Sequence, residues 1–545
     1  MSIPDRKLLQ WLAEPPAERA LYFAAPDDSW TRHGYVELAR LTLRAAAALR
    51  ASGVRRDDVV VIVQRSSPGF VASFFGAIAA GATPCSVPPP FAFQRTGEYE
   101  KHTRHLFDTA RPAMVVCDEE SLVQVAAITD DLALPAPVPF ETLIAGVDPA
   151  EKPYPPAEFA LLQFTSGSSG ASRGVLVTHS ALQANVTAMR RWLRWEPEYR
   201  GMSWLPVHHD MGLIGCMINM VVTSCDTWMM QPEDFIRSPL MFLKCMSDNK
   251  VGLTASPNFA LAHIVRRVEP AQLEGLRFDS MRSLILGAER IDPEVLTAFH
   301  NLVGPHGFDR RALLPAYGAA EGTLAITGLP VDEGWTAVVP EDSVIGAENS
   351  RIVGCGRPLE GVTVTVVDED GQPVPDGTVG EIVMTGTSVA TRYVGNPGSA
   401  SRTALDGGVL HTGDAAFLRD GQLFVLGRLG DGLKVHGRMV FAEMLEMQLR
   451  TLGIPDRRGF VLLGQRDGRP TGVAVLEKPR PDWESVAHGV LSKALVDADL
   501  FVLEVARGQV PVTSSGKPRR RLLWSAIWEG RTDGEIRPLS AAVGS

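Results

Sequence analysis

The chain has no basic excess, few cysteines and no long uninterrupted apolar run, and each shortage excludes something. Lys and Arg number 53 against 63 Asp and Glu, a net charge of −10. A nucleic-acid binder normally carries a basic field, so no nucleic-acid partner is expected. The six cysteines, Cys85, Cys117, Cys216, Cys225, Cys245 and Cys355, include no Cys-x-x-Cys pair and suggest no disulfide framework. Free thiols in a reducing cytoplasm are the simplest reading. The opening "MSIPDRKLLQWLAE" lacks the apolar core of a signal peptide. Two stretches, "GFVASFFGAIAAGATPCSVPPP" and "MGLIGCMINMVVTSC", approach membrane length. The first is broken by Gly and ends in Pro, and the second is shorter than the roughly 20 residues a spanning helix needs. Both are expected as core helices, and no membrane partner is expected.

What is present reads as a large globular protein. With 545 residues, 45% hydrophobic and 21% charged, the chain is too long for one core and has the composition for several. Apolar, β-branched runs at 58–64, 113–117, 160–164 and 283–287 are each followed by a helical pattern. That alternation predicts an α/β fold with parallel-rich sheets layered by helices. From about 350 the texture changes: "VTVTVVDEDGQPVPDGTVGEIVMTG" alternates with a period of two between Asp-Gly turns, predicting an antiparallel β subdomain at about 341–429. The expected organisation is a large N-terminal domain, 1–429, and a small α+β C-terminal domain, 430–545, with strands at 459–464 and 471–477 and a helix near 482–499.

One loop asks for chemistry. "QFTSGSSGASRGVLVTH" (163–179) sets small hydroxyls and glycines between apolar runs. Such residues let amides and O–H groups converge on phosphate oxygens, and a helix beginning near Thr178 could add its positive end. Arg173 would add charge. The Gly-x-x-x-x-Gly-Lys-Ser/Thr loop does not fit, since no Lys follows the second Gly, and the Gly-x-Ser-x-Gly spacing fails too. Alone, such a Ser/Gly-rich segment is more often just a linker.

Four further segments accompany it: "SWLPVHHDMGLIG" (203–215), "AYGAAEGTLAITG" (316–328), "HTGDAAFLRDGQLFVLGRLGDGLKVHGR" (411–438) and "VPVTSSGKPRRRL" (510–522). In this order the set resembles the adenylate-forming superfamily of acyl-CoA synthetases, peptide-synthetase adenylation domains and luciferases. "AGATPCSVPPP" (80–90) and "SVATRY" (388–393) bring it nearest the fatty acyl-AMP ligase branch. The resemblance runs over residues 30–525.

It implies an ATP-dependent ligase: a carboxylate attacks the α-phosphorus of ATP to give acyl-AMP and pyrophosphate, and a thiol of CoA or of a carrier protein's phosphopantetheine then takes the acyl group. By this resemblance Thr165, Ser166, Gly167, Ser168, Ser169, Gly170 and Arg173 hold phosphates, and Gly287, Ala288 and Glu289 form the adenine loop. Tyr317, beside Gly318, packs on adenine. Asp414 takes the ribose hydroxyls, Arg428 stands near ribose or phosphate, and Glu321 matches the Mg²⁺ ligand. Lys517 bridges carboxylate and α-phosphate. Lys517, His209 and Glu321 are the candidates for direct catalytic roles; Trp204, His209, Met211 and Gly212 are those for the acid pocket. Each has a plainer alternative: Asp414 a turn residue, Glu321 a surface acid, His209 a structural histidine, the methionines core, "KPRRR" a solvated tail.

In the family the C-terminal domain is mobile and rotates between the two half-reactions, about a hinge that falls here at Gly430. Three features depart from the pattern. Arg173 stands where a lysine is usual, "MVFAEMLE" (439–446) replaces Asn-Tyr-Pro-x-Asp-Ile-Glu, and the stretch from Gly322 to Val353 is short, which suggests that a thiol acceptor is used. Three readings result: the complete ligase, the thioester-forming half working on a preformed acyl-AMP, and a non-catalytic nucleotide binder.

Overall fold

The structure is a computed structural model describing residues 6–90, 96–165, 172–340, 351–394, 403–436, 438–455, 457–512 and 517–539. Among these, two large sheets build the N-terminal body. One has nine strands: six parallel ones, Leu313–Gly318, Ser283–Leu286, Leu253–Ser256, Gly201–Ser203, Thr227–Met229 and Ala20–Ala24, flanked by antiparallel partners at both ends. The second has seven strands, with Val59–Val63 at the centre of its parallel part. The parallel strands are nearly all buried, which explains why their sequences are continuous apolar runs.

The apolar segment near residue 70 is a helix, Pro68–Ala79, buried along its length. Ser67 caps it by accepting from the Phe70 N–H at 3.0 Å, and Pro68 occupies the first helical position. At Gly76 a Cβ would come within 2.8 Å of the Ala45 Cβ, so its absence lets the helix Tyr35–Ala51 pack close. The second apolar segment is Met211–Ile218, a π-type helix running into the α-helical Asn219–Thr223. No described helix is long and apolar enough to cross a membrane.

The alternating segment forms an antiparallel sheet of Val362–Val367, Gly380–Gly386, Val409–Arg419, Ala404–Asp406 and Gln422–Arg428. The smaller C-terminal domain has its own sheet: Gly459–Arg466, Arg469–Glu477, Asp499–Val505 and Ile536–Pro538. Its helix Ala442–Thr451 contributes Met444, with Phe441 just before it, to an apolar cluster with Phe417, Phe424 and Leu426 of the antiparallel sheet. The domains therefore meet over an apolar seam.

One local expectation fails. The strand Phe159–Phe164 is followed not by a helix but by an antiparallel strand, Gly174–Thr178, and only then by the helix His179–Trp192. "GVLVT" is β-branched and apolar, and it pairs back onto its neighbour. The helix starts where expected, with Thr178 as cap. Its positive end nevertheless lies a full strand, about 17 Å, from Gly174 at the far end of that strand.

Candidate active site

The candidate site is assembled at strand ends. Val409–Arg419 turns back into Gln422–Arg428, and the register sets Asp414 directly opposite Arg428. Arg428 Nε lies 2.8 Å from Asp414 Oδ1. Tyr317, near the carboxyl end of its strand, donates its hydroxyl to Asp414 Oδ2 at 2.6 Å. The Asp414 N–H is turned inward onto Thr412 Oγ1 at 3.1 Å. Asp414 is only 8% exposed, so this is a buried carboxylate with a donor on each oxygen. Its charge holds the Arg428 guanidinium well above the usual arginine range. Burial, then Asp414 itself, pushes the Tyr317 phenol up, keeping it a neutral donor. Each oxygen has a further lone pair for an incoming hydroxyl. Next to Tyr317, Gly318 admits no side chain, because a Cβ would stand 2.1 Å from the Leu324 carbonyl oxygen.

Gly287, Ala288 and Glu289 follow the strand Ser283–Leu286, at the sheet edge where open α/β folds bind ligands. Ala288 has φ +66°, a strained backbone for a residue with a side chain. Glu289 Oε1 accepts from the Phe259 N–H at 2.5 Å.

Of the Ser/Gly loop, Ser166, Gly167, Ser168, Ser169 and Gly170 lie outside the described residues. Its two ends are joined: the Arg173 N–H donates to Thr165 Oγ1 at 3.1 Å. The Arg173 guanidinium is engaged on three sides. It donates to Glu321 Oε1 at 3.2 Å and to the Thr403 carbonyl at 2.9 Å, and it lies 4.0 Å over the Tyr393 ring. Tyr393 donates its hydroxyl to the same Glu321 oxygen at 2.9 Å. Thr403 Oγ1 in turn accepts from Arg428 at 3.4 Å, so one network links the Glu321 and Asp414 halves of the site. Glu321 is buried, and no group of three or more His, Cys, Asp or Glu among the described residues could hold a metal alone. A single carboxylate still suits Mg²⁺, which is commonly held by one or two carboxylates with substrate phosphates and waters.

Lys517 comes from the small domain. Burial and Arg428 push its ammonium below the usual lysine range, while Asp414, Glu289 and Asp210 pull the other way. The lysine thus stands within electrostatic reach of the Asp414–Arg428 pair, the adenine-loop candidate Glu289 and the "HHDMG" segment at once. Asp210 responds in kind, raised by burial and lowered by the Met211 N–H and Lys517.

The acid-pocket candidates divide. Trp204 is enclosed: stacked on Phe235 at 4.1 Å, edge-on to Phe259, with its N–H donated to Ser256 Oγ at 3.1 Å. Met211 Sδ sits 3.9 Å from where a Gly287 Cβ would be, beside the candidate adenine loop. Gly212 passes so close to Pro206 that a Cβ would meet its carbonyl oxygen at 2.2 Å. The His209 ring lies 4.6 Å from that of His208. Both belong to a cluster with His102, which burial and then Arg519, His105 and His209 hold down at about 4. His208 is also held well below the usual range, first by burial. Both His102 and His208 are therefore neutral at pH 7. Gly430 lies in the short turn Leu429–Asp431 between the domains, where a Cβ would meet the Arg521 guanidinium at 2.5 Å.

Sequence reasoning missed Tyr393, Thr403 and Asp210. Tyr393 and Asp210 stand inside motifs already singled out, and an aromatic or acid there was the available signal. Thr403 acts through its backbone carbonyl as well as its side chain, which no residue type reveals.

Residues 8–394 match the AMP-binding enzyme family. The chain belongs to that family. It is similar to a long-chain-fatty-acid–AMP ligase of Mycobacterium marinum, 26% identical over 588 residues covering 98% of this chain and 99% of the relative. It is also similar to a medium-chain-fatty-acid–[acyl-carrier-protein] ligase of Moorena producens, 27% identical over 531 residues, 90% of this chain and 89% of the relative. Among solved structures, one from studies of fatty acyl-adenylate ligases of E. coli and L. pneumophila superposes with a TM-score of 0.87 at 25% identity, covering 96% of this chain and 98% of that one. The α/β architecture, a large N-terminal and a smaller C-terminal domain, is that of adenylate-forming enzymes.

Proposed function

We propose that the protein is an acyl-activating ligase: it joins a carboxylic acid to ATP as acyl-AMP, releasing pyrophosphate, and then passes the acyl group to a thiol. What supports this reading is Lys517 of the small domain, whose ammonium is lowered by burial and by Arg428 and raised by Asp414, the two members of the buried pair. Asp414 would accept both ribose hydroxyls, Tyr317 would pack on the base, and Gly287, Ala288 and Glu289 would border it. The Lys517 ammonium would lie between the attacking carboxylate and the α-phosphate, where charge gathers in the transition state. Glu321 is the residue to hold Mg²⁺, which would neutralise phosphate charge. The relatives' names support a fatty acid as substrate and CoA or an acyl carrier protein as acceptor. Transfer to a thiol needs Lys517 withdrawn, and Gly430 is the residue about which the domain 430–545 would turn from the domain 1–429. Six buried, unpaired cysteines suit a cytoplasmic setting.

A second reading has one observation behind it. Arg173 is spent on Glu321, Thr403 and Tyr393, so the phosphate loop has lost its expected point charge. On that reading only the thioester half remains, using a preformed acyl-AMP. Incubation with ATP and a panel of acids decides between them. Carboxylate-dependent exchange of labelled pyrophosphate into ATP supports the full ligase. No exchange, with CoA thioester made from synthetic acyl-AMP, supports the half reaction, and neither activity overturns both.

A further inference from the structure

Buried charge is tolerated when it is paired, and one guanidinium here is not. Arg290 directly follows the adenine-loop candidate Glu289. Its Nε, Nη1 and Nη2 are all buried, and none has a hydrogen-bond partner among the described residues. Such a group is costly to leave alone. Burial holds Arg290 down at about 10, while Glu443, Asp292 and Glu446 oppose that shift and Arg450 adds to it. Glu443, Glu446 and Arg450 lie on the small domain's helix Ala442–Thr451. Arg290 stands two residues before Asp292, which pairs with Arg450 of that helix at 3.2 Å, so it sits at the seam between the domains.

The other side of the seam carries a cluster of carboxylates. Arg520 is surrounded by three carboxylates: Asp431 at 3.2 Å, Glu443 at 3.0 Å and Glu446 at 2.7 Å. Arg428 and Arg521 also act on Asp431, and Glu446 is raised to about 7, chiefly by burial. Glu443 spends Oε1 on Arg520, while its Oε2 is buried with no hydrogen-bond partner. A second cross-seam pair is already closed, Arg450 Nη2 to Asp292 Oδ2 at 3.2 Å. Arg520 follows Lys517 closely along the chain and opens the helix Arg520–Trp528. The charges thus form a path from Arg290 through Glu443 and Arg520 to the lysine segment.

We infer that Arg290 is a positioning residue for adenylation: its charge draws the Glu443–Arg520 cluster, and with it Lys517, onto the nucleotide site, and releases them when the small domain turns away. In the closed seam the Arg290 guanidinium and Glu443 Oε2 remain without hydrogen bonds, so the attraction acts through charge alone. This rests on the proposed ligase reading.

The test compares both half-reactions in Arg290→Met, Arg290→Lys and Glu443→Gln. Arg290→Met should lower pyrophosphate exchange about tenfold through kcat, with the ATP KM and the rate of thioester formation from synthetic acyl-AMP unchanged. Arg290→Lys should recover most of the exchange. Arg290→Met combined with Glu443→Gln should lose less than the product of the two single losses. Equal loss in both half-reactions, faster exchange in Arg290→Met, or full additivity would overturn the inference. Proteolysis of the interdomain segment gives a readout independent of turnover. A non-hydrolysable acyl-adenylate analogue should protect the wild type more than Arg290→Met, and equal protection contradicts the inference. A wild type without exchange would refute the ligase reading instead, and the protease comparison still judges Arg290.

Discussion

Around Asp414, charge is buried and fully bonded: Arg428 on one oxygen, Tyr317 on the other, Thr412 under the backbone. Around Arg290, charge is buried and unbonded, with counter-charges on both sides of the domain seam, Asp292 on its own side and Glu443 and Glu446 on the other. The same side-chain types serve both places. A bonded cluster within one domain is pre-organised and holds a fixed geometry for a ligand. An unbonded group at a seam adds no hydrogen bond of its own to those, such as Arg450–Asp292, that separation must break. The contrast assigns holding to the first region and movement to the second.

Breaking the fixed region should have the largest effect. Asp414→Ala strips a buried arginine of its partner, and the apparent affinity for ATP should fall about 100-fold, checked by calorimetry with a non-hydrolysable analogue. Tyr317→Phe keeps the ring and removes one bond to the carboxylate, so affinity should fall about tenfold while the protein's melting temperature barely moves. An unchanged affinity in either variant would mean that the nucleotide sits elsewhere. The smallest effect concerns pH. Burial and Arg428 lower the Lys517 ammonium, so the docked pose binds that proton less tightly than the open one. Raising the pH therefore favours docking but empties it of the working cation. Exchange should decline on the alkaline side below the pH at which an ordinary lysine titrates. The thioester half should show no such decline. An exchange rate flat to that pH would mean that Lys517 is not docked as described.

The sequence made the two parallel-rich sheets legible because buried parallel strands leave unbroken apolar runs, as in Val59–Val63 and Ser283–Leu286. The antiparallel sheet announced itself by alternation. The strand Gly174–Thr178 escaped notice because a run of five residues between a loop and a helix has no period long enough to read. At the candidate site, Asp414 and Arg428 were visible through their motifs, but their pairing is a matter of register, which no motif states. "MVFAEMLE" read only as drift from a familiar pattern. In the structure its Glu443 and Glu446 hold Arg520, a residue of the stretch that could have passed for a solvated tail. This charge pairing within the small domain joins residues far apart in sequence, and composition carries no trace of it. The short stretch noted between Gly322 and Val353 includes 341–350, which lies outside the described residues.

The most direct measurement is Lys517→Ala assayed in both halves with one preparation. The account predicts that pyrophosphate exchange falls by about 100-fold or more. Thioester formation from synthetic acyl-AMP and CoA should proceed at the wild-type rate. Undiminished exchange in Lys517→Ala would contradict it.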